Sequence, residues 1–435
     1  MNRYRIADQL FQQNDYQNAL REYIRIAEID GSITMSADVR ALIGAMLSFY
    51  NLGQYKKSFA LSKRILAIEK YNSSAIFYAG MNLEMLNKQS LAKKVYRYYN
   101  ILSRSDPYYR FIKARFDHLV QEEMIKRAKL AIRMENSISM DQINDNTLAV
   151  LYFLNVMEDS EWNSLSKGLA EMIITDLSQV NRLRILERIQ LQKLIEEMQL
   201  GMTGLADEST VPRMGRLLKA RKLINGAFAV KAGKDIAITS NLVDVKTQYG
   251  TQSKDITGSL SDIFKIEKDI VFSTLDELGI PLTAEERNRI GKYATKNINA
   301  FKAFCDGLDE FDLNNYEAAS MYFKKAIELD PNFMMARDMF DIADALGIIE
   351  QGKFSAMHFR IMHSPFSSMS EFGGGISTRE RLNRLSNNLD LGYMPGNDSR
   401  NGGLTEIDER FWSDDWFNRE ILEAPPAPPV VPPNK

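Results

Sequence analysis

Glu187 and Arg188 stand side by side in "LRILERIQLQKLIEEMQL" (183–200), where a short apolar run gives way to a helical period. An acid and a base at the end of a strand occupy a position where many α/β proteins place their chemistry. A catalytic carboxylate, however, works with a second positioned group, a nucleophile or a metal. No histidine or cysteine lies between residues 147 and 281. Neighbouring side chains on a strand also point to opposite faces. The pair is therefore expected to be structural, with Arg188 satisfying helix-end or sheet-edge groups and Glu187 supporting the positive end of the following helix.

Other candidate chemistry fares no better. "GGGIS" (373–377) lacks the Gly-Lys-Ser/Thr ending of a phosphate loop, and Ser377 with Glu380 reads as a capping box. "DLNNYE" (312–317) resembles a calcium loop but has no turn glycine. His358 and His363, five apart in "HFRIMH", share a face in neither helix nor strand. His118 sits in a helical stretch and reads as a surface or packing residue. The single cysteine, Cys305, excludes an intramolecular disulfide without fixing the compartment. The expectation is a protein with no catalytic residue, no metal and no cofactor, and hence not an enzyme.

With 55 basic and 57 acidic residues the net charge is −2, and no basic stripe stands out, which argues against nucleic acid as a partner. No run of about 18 apolar residues exists to span a membrane as a helix. The start, "MNRYRIADQLFQQ", is polar and helical in pattern with no apolar signal core. It is expected to be a mature terminus from which an export signal or lipid anchor has been removed.

The elements around these residues begin with self-similar segments. "YRIADQLFQQNDYQNALREYIRIAEID" places Ala7 and Ala19 twelve apart. "AIFYAGMNLEMLNKQSLAKKVYRYYNIL" repeats this with Gly80 and Ala92, and "FKAFCDGLDEFDLNNYEAASMYFKKAIELDPNF" with Gly307 and Ala319. A weaker copy between the first two has Met46 and Ser58. Small residues at this spacing let two antiparallel helices approach closely. Tyr23, Tyr96 and Phe323 are expected to fill the gap to the next pair. Ala19, Ser58 and Ala92 are 39 and 34 residues apart, the larger step following from the loop "DGSITMSADV" (30–39). The chain thus resembles tetratricopeptide repeats (TPR) at 1–107 and again at 298–345. Stacks of such repeats present a groove for a protein partner.

Past a polar linker the period changes. "TLAVLYFLN" (147–155) reads as one buried strand, and 161–178 as a helix with Leu165, Leu169, Met172, Ile173 and Leu177 on one face. The strand 183–187 and its helix follow, then a short helix opened by Thr210 and Pro212. Three strands come next, "KLINGAFAV", "DIAITSNLVDV" and "TQSKDITGSL", the second alternating Ile236 and Ile238 with polar neighbours. A helix ending near Ile280 closes the set. The order β-α-β-α-α-β-β-β-α predicts a two-layer α/β sandwich.

These blocks resemble the family of the curli secretion channel (CsgG), the flagellar FlgO lipoprotein, the LpoB-type lipoprotein activators of peptidoglycan synthases, and TolB amino-terminal-like domains. "LAVLYF" is similar to its first strand, "LAEMIITDLS" to its first helix, "RLRILERIQLQKLIEEMQL" to its strand-Glu-Arg-helix signature, and "INGAFAV…IAITSNLVDVKTQ" to its hairpin. "LTAEERNRIGKYATKNINAFKAFCDGL" resembles the connector joining such domains to TPR repeats. The resemblance implies a non-enzymatic bacterial cell-envelope scaffold or assembly protein, periplasmic or outer-membrane associated. On that reading the central domain makes homo-oligomer or ring contacts and the repeats recruit envelope-complex components. It leaves two alternatives open: a secretion-channel subunit, or a TolB-like/TPR sensor module. A channel would need about 40 further residues of hairpin, and the connections at 156–160, 201–209, 231–234 and 247–250 are short.

The expected organisation is α+β and multidomain. A TPR α-solenoid covers 1–107, a capping helix 108–133 and a linker 134–146. The α/β domain covers 147–281, a connector 282–297, and a further TPR repeat with its cap 298–345. An irregular tail, 346–435, ends in "EAPPAPPVVPP". Within the tail Phe411, Trp412, Trp416 and Phe417 form no helical stripe; they either fold back onto the chain or dock onto a partner.

Overall fold

The computed structural model describes residues 2–27, 38–157, 160–200, 210–250 and 254–350. "DGSITMSADV" (30–39) falls largely outside these. "GGGIS", His358, His363, Phe411, Trp412, Trp416 and Phe417 lie wholly outside them. The class is α+β, mostly helical with one mixed sheet. The chain divides into two compact units, with the boundary between Phe116 and Asp117.

The first unit is built from helical hairpins: α1 (Asn2–Gln12) with α2 (Tyr16–Ala27), α3 (Val39–Asn51) with α4 (Tyr55–Ile68), and α5 (Ser73–Met85) with α6 (Gln89–Tyr96). A long helix, α7 (Tyr109–Arg133), starts in this unit and crosses the boundary. Each hairpin turns on one left-handed residue: Asn14 (φ 61°), Gly53 (φ 72°) or Asn87 (φ 58°). Only glycine and asparagine adopt that conformation readily. The next residue's N–H then reaches back over the helix end, as from Asp15 to Leu10 O at 2.9 Å and from Lys88 to Leu83 O at 2.8 Å. This C-terminal cap satisfies carbonyls that the helix leaves orphaned. Aromatic pairs staple two of these turns edge-on, Phe11–Tyr16 at 5.1 Å and Tyr50–Tyr55 at 5.5 Å.

The second unit repeats the device once. α13 (Ile298–Asp312) and α14 (Tyr316–Leu329) turn at Asn314 (φ 62°), with Phe311–Tyr316 at 5.3 Å, and α15 (Met334–Glu350) packs on α14. Ala7, Ala19, Ala92 and Ala319 are fully buried, as the close-approach reading requires. The large residues do not all sit where expected. Tyr23 does face the following helix, at Gly44, but the Tyr96 and Phe323 rings lie over Gly80 and Gly307 of their own hairpins. A Cβ at residue 307 would stand 2.6 Å from a Phe323 ring carbon. Gly307→Ala gains about 1 kcal/mol of helix propensity but overpacks a ring with no exposure, at about 1–3 kcal/mol. The expected outcome is a net loss, read as a lower urea midpoint with unchanged m-value.

The sheet carries the rest of the second unit. Its strands are β1 (Thr147–Val150), β2 (Leu154–Asn155), β3 (Arg184–Ile185), β4 (Lys222–Lys231), β5 (Asp235–Asp244), β6 (Tyr249–Gly250) and β7 (Lys254–Ser259). The helices are α8 (Leu165–Leu177), α9 (Arg188–Met198), α10 (Thr210–Leu218), α11 (Ile263–Glu277) and α12 (Ala284–Ile290), the last lying in the connector. The strand order is β3-β1-β4-β5-β6, with β2 extending along β4 and β7 along β5. β3, β1 and β4 are parallel; β4, β5 and β7 are antiparallel.

Two details depart from expectation. The run 147–155 is not one strand: Val150 pairs with Ile224 and Leu154 with Ala227, so four steps on one side match three on the other. This is a one-residue bulge. It sits opposite Gly226, where a Cβ would meet the Phe153 ring at 2.5 Å. Helices also approach the sheet from both faces, at opposite ends of β4. α11 packs against Gly258, on the face shared with Ile236 and Phe228, whereas α10 approaches Leu223 on the opposite face.

Candidate functional site

The bulge directs Tyr152 toward the joint that opens α9. Tyr152 is 2% exposed, and its hydroxyl donates to Gln192 Oε1 at 2.7 Å. Glu187 lies beyond the two-residue β3 as the N-cap of α9, and Arg188 is that helix's first residue. They are therefore not consecutive strand residues, so the opposite-face argument does not apply. Their roles differ for another reason. Glu187 belongs to a capping box in which Gln190 Oε1 accepts from the Glu187 N–H at 3.0 Å.

Arg188 does something the sequence reading did not foresee. It satisfies neither a helix end nor a sheet edge but reaches a carboxylate 124 residues away. Nη1 and Nη2 donate to Asp312 Oδ2 and Oδ1 at 2.8 and 3.1 Å, a bidentate pair. Nε stands 3.4 Å from Glu171, and Nη1 is 3.3 Å from the Tyr152 hydroxyl. Lys167 adds a second cation, 2.8 Å from the same Asp312 Oδ2 and 2.8 Å from Asp309. Arg188 and Asp312 side chains are 7% and 2% exposed. Burial alone would raise the Asp312 pKa, but the Arg188 and Lys167 charges outweigh it and hold the carboxyl below its ordinary value. Burial likewise opposes the Arg188 charge, and Asp312, Tyr152 and Glu171 more than restore it.

Asp312 ends α13, so this pair fastens the C-terminal hairpin to the sheet domain. The fastening is a seam between α8 and α13. Gly168 on α8 has no Cβ because Cys305 and Phe301 of α13 occupy that space. Flanking this contact, the Ser164 hydroxyl donates to Asp306 at 2.7 Å and Lys167 pairs with Asp309. Asp306, Asp309 and Asp312 recur every three residues along one side of α13. Of these groups Glu187, Arg188 and Cys305 were singled out in the sequence, as were Gly307 and Ala319 elsewhere in the hairpin. Asp312 was weighed there only as part of a calcium-like loop. The available signal was charge on an apolar helix: Ser164, Lys167 and Glu171 share one face of α8.

A second buried charge cluster ties α8 to α11. Lys268 bridges Asp176 and Glu267, standing 3.2 Å from the latter. Burial and then the Glu267 charge push the Asp176 carboxyl well above its ordinary range, and burial also raises Glu267. Elsewhere, His118 pairs with Glu122 at 3.5 Å on the surface of α7. Cys305 is free and fully buried. Among the described residues no group of three or more His, Cys, Asp or Glu is placed to hold a metal ion, and no helix is long and apolar enough to cross a membrane.

Residues 120–230 match a family model described as "Curli production assembly/transport component CsgG". The match runs from within α7 to the end of β4, so it starts earlier and stops sooner than the 147–281 expected from the sequence. It contains Arg188 but not Asp312. The chain is 25% identical over 212 residues to a protein of Rhizobium meliloti (strain 1021) named "Putative adenylate cyclase 3". That alignment covers 47% of this chain and 34% of the relative, so the chain spans about a third of that protein's length. Among solved structures, the LpoB C-terminal domain from Salmonella enterica aligns at 15% identity with a TM-score of 0.23. That alignment covers 30% of this chain and 93% of the domain.

Proposed function

We propose that the chain is a non-enzymatic assembly protein of the bacterial cell envelope. Its CsgG-like region makes contacts between copies, and its TPR-like hairpins recruit protein partners. The observation that carries this reading is the family match over 120–230, which includes the whole strand-to-helix joint. The joint's chemistry agrees with it. Glu187 is engaged in capping and Arg188 in a buried ion pair, so the acid and base nearest a substrate-like position serve architecture. Recurrent left-handed turns and glycine-on-ring contacts in both sets of hairpins support the repeat reading. The 10-residue strands β4 and β5 pair with each other inside the domain's own sheet, which favours a scaffold over a pore-forming subunit.

A second reading, a sensor module, is favoured by one observation: the shared stretch with the protein named as an adenylate cyclase. On that reading the shared part is regulatory, and the chain works away from the envelope.

Fractionation of the source cells with a tagged chain separates the two. The expected result is co-sedimentation with the envelope, a light-scattering mass of two or more chains, and co-purification of envelope proteins. A monomer in the soluble fraction that brings down no envelope protein overturns the assembly reading.

A further inference from the structure

β1 lies between β3 and β4, parallel to both, and the chain leaves it first toward β3 and later crosses to β4. In open α/β sheets this switch point is where the carboxyl ends of the strands leave a crevice for a ligand. Here that place is filled by the chain itself: Tyr152, just past β1, and Arg188, just past β3, are both buried there. Two cations converge in it on a single oxygen: Arg188 Nη1 and Lys167 Nζ each stand 2.8 Å from Asp312 Oδ2. The guanidinium is oriented by Glu171 and the Tyr152 hydroxyl, which is itself held by Gln192. Every part of this receptor, from residue 152 to residue 192, precedes the connector. The group it binds arrives from the far side of the connector, on the last residue of α13.

We propose that Arg188 and Lys167 form a carboxylate-binding site at the switch point of the sheet, with Asp312 as its resident ligand. Docking of the α13–α14 hairpin is then ligand binding within one chain. The fork geometry of the guanidinium selects a planar, two-oxygen anion, and the adjacent ammonium adds charge without a shape requirement. A carboxylate fits whether it arrives on α13 or free in solution. This inference is independent of the envelope reading, because it concerns only the joint.

Size-matched rescue tests it in the full chain. Asp312→Ala deletes a group the size of formate, and Asp312→Gly one the size of acetate. A ligand bound only by the folded state raises the melting temperature by mass action. Each variant should therefore melt about 3 °C higher in 100 mM of its matched carboxylate than in chloride of equal ionic strength. The wild type, with its site filled, should shift by less than about 1 °C. Adding Arg188→Met should abolish the response. Equal melting in carboxylate and chloride, or an equal rise in the wild type, overturns the proposal. Should neither variant fold in chloride, refolding is compared directly: recovery in the matched carboxylate supports the site, and no recovery overturns it.

Discussion

Arg188→Ala is expected to destabilise the second unit by about 3–5 kcal/mol, the cost of breaking a buried ion pair from one side. The truncation removes two hydrogen bonds to Asp312 and the contact with Glu171, and leaves a void. Lys167, 15% exposed, still neutralises part of the Asp312 charge, so the loss should lie toward the lower end of that range. The companion variant Asp312→Ala leaves the guanidinium with Glu171 and the Tyr152 hydroxyl, and its cost should be similar. Because the two side chains act as one unit, the double variant should cost much less than the sum. A double-mutant cycle in urea then returns a coupling energy of at least about 2 kcal/mol. A coupling near zero would mean that water reaches the guanidinium and that the seam is held by its apolar centre, Gly168 against Cys305 and Phe301.

The cluster of Asp176, Glu267 and Lys268 gives the second large effect. Two carboxyls share one ammonium in the core between α8 and α11, so the cluster is neutral only when it keeps a proton. A raised carboxyl pKa means that the folded chain holds that proton where the unfolded chain has released it. Stability then falls as pH rises from the ordinary carboxylate value of 3.8 toward the raised one, and stays low above it. The slope cannot exceed about 1.4 kcal/mol per pH unit for one proton. Asp176→Asn removes one of the two carboxyls, so Glu267 and Lys268 balance each other without a bound proton while the shape is preserved. The variant should gain stability relative to the wild type as pH rises through that window, and be the more stable of the two at pH 7. Denaturant melts at pH 4, 5, 6 and 7 measure this. A stability difference that does not change with pH would place the bound proton elsewhere.

Much of the second unit was legible before any coordinates. Apolar runs and a change of period locate β1, α8, β3, α9, α10, β4, β5, β7 and α11 in their observed order. Periodicity reads what one segment does against a generic core, and that is where it stops. It cannot show that 147–155 must bulge, because the extra residue exists only relative to β4 and to the missing Cβ of Gly226. Nor can it pair Arg188 with Asp312, since nothing local marks a partner 124 residues away. The hairpin turns were half legible. Tyr16, Tyr55 and Tyr316 fall at matching places, and the residue two before each, Asn14, Gly53 or Asn314, is of a type suited to a left-handed turn. Reading that pair together would have placed the helix ends directly. The aromatic tail residues Phe411, Trp412, Trp416 and Phe417 fall outside the described residues.

The contact between Gly168 and Cys305 turns the seam into its own clock. Cys305 is the chain's one thiol, fully buried, and its burial pushes the thiol pKa well above the usual range. An alkylating reagent can reach it only during the moments when α13 lifts from α8. Under mild conditions the rate of thiol modification therefore counts those openings, with no label introduced and no residue changed. A partner that holds the hairpin down would slow the count, and one that competes for the hairpin would quicken it.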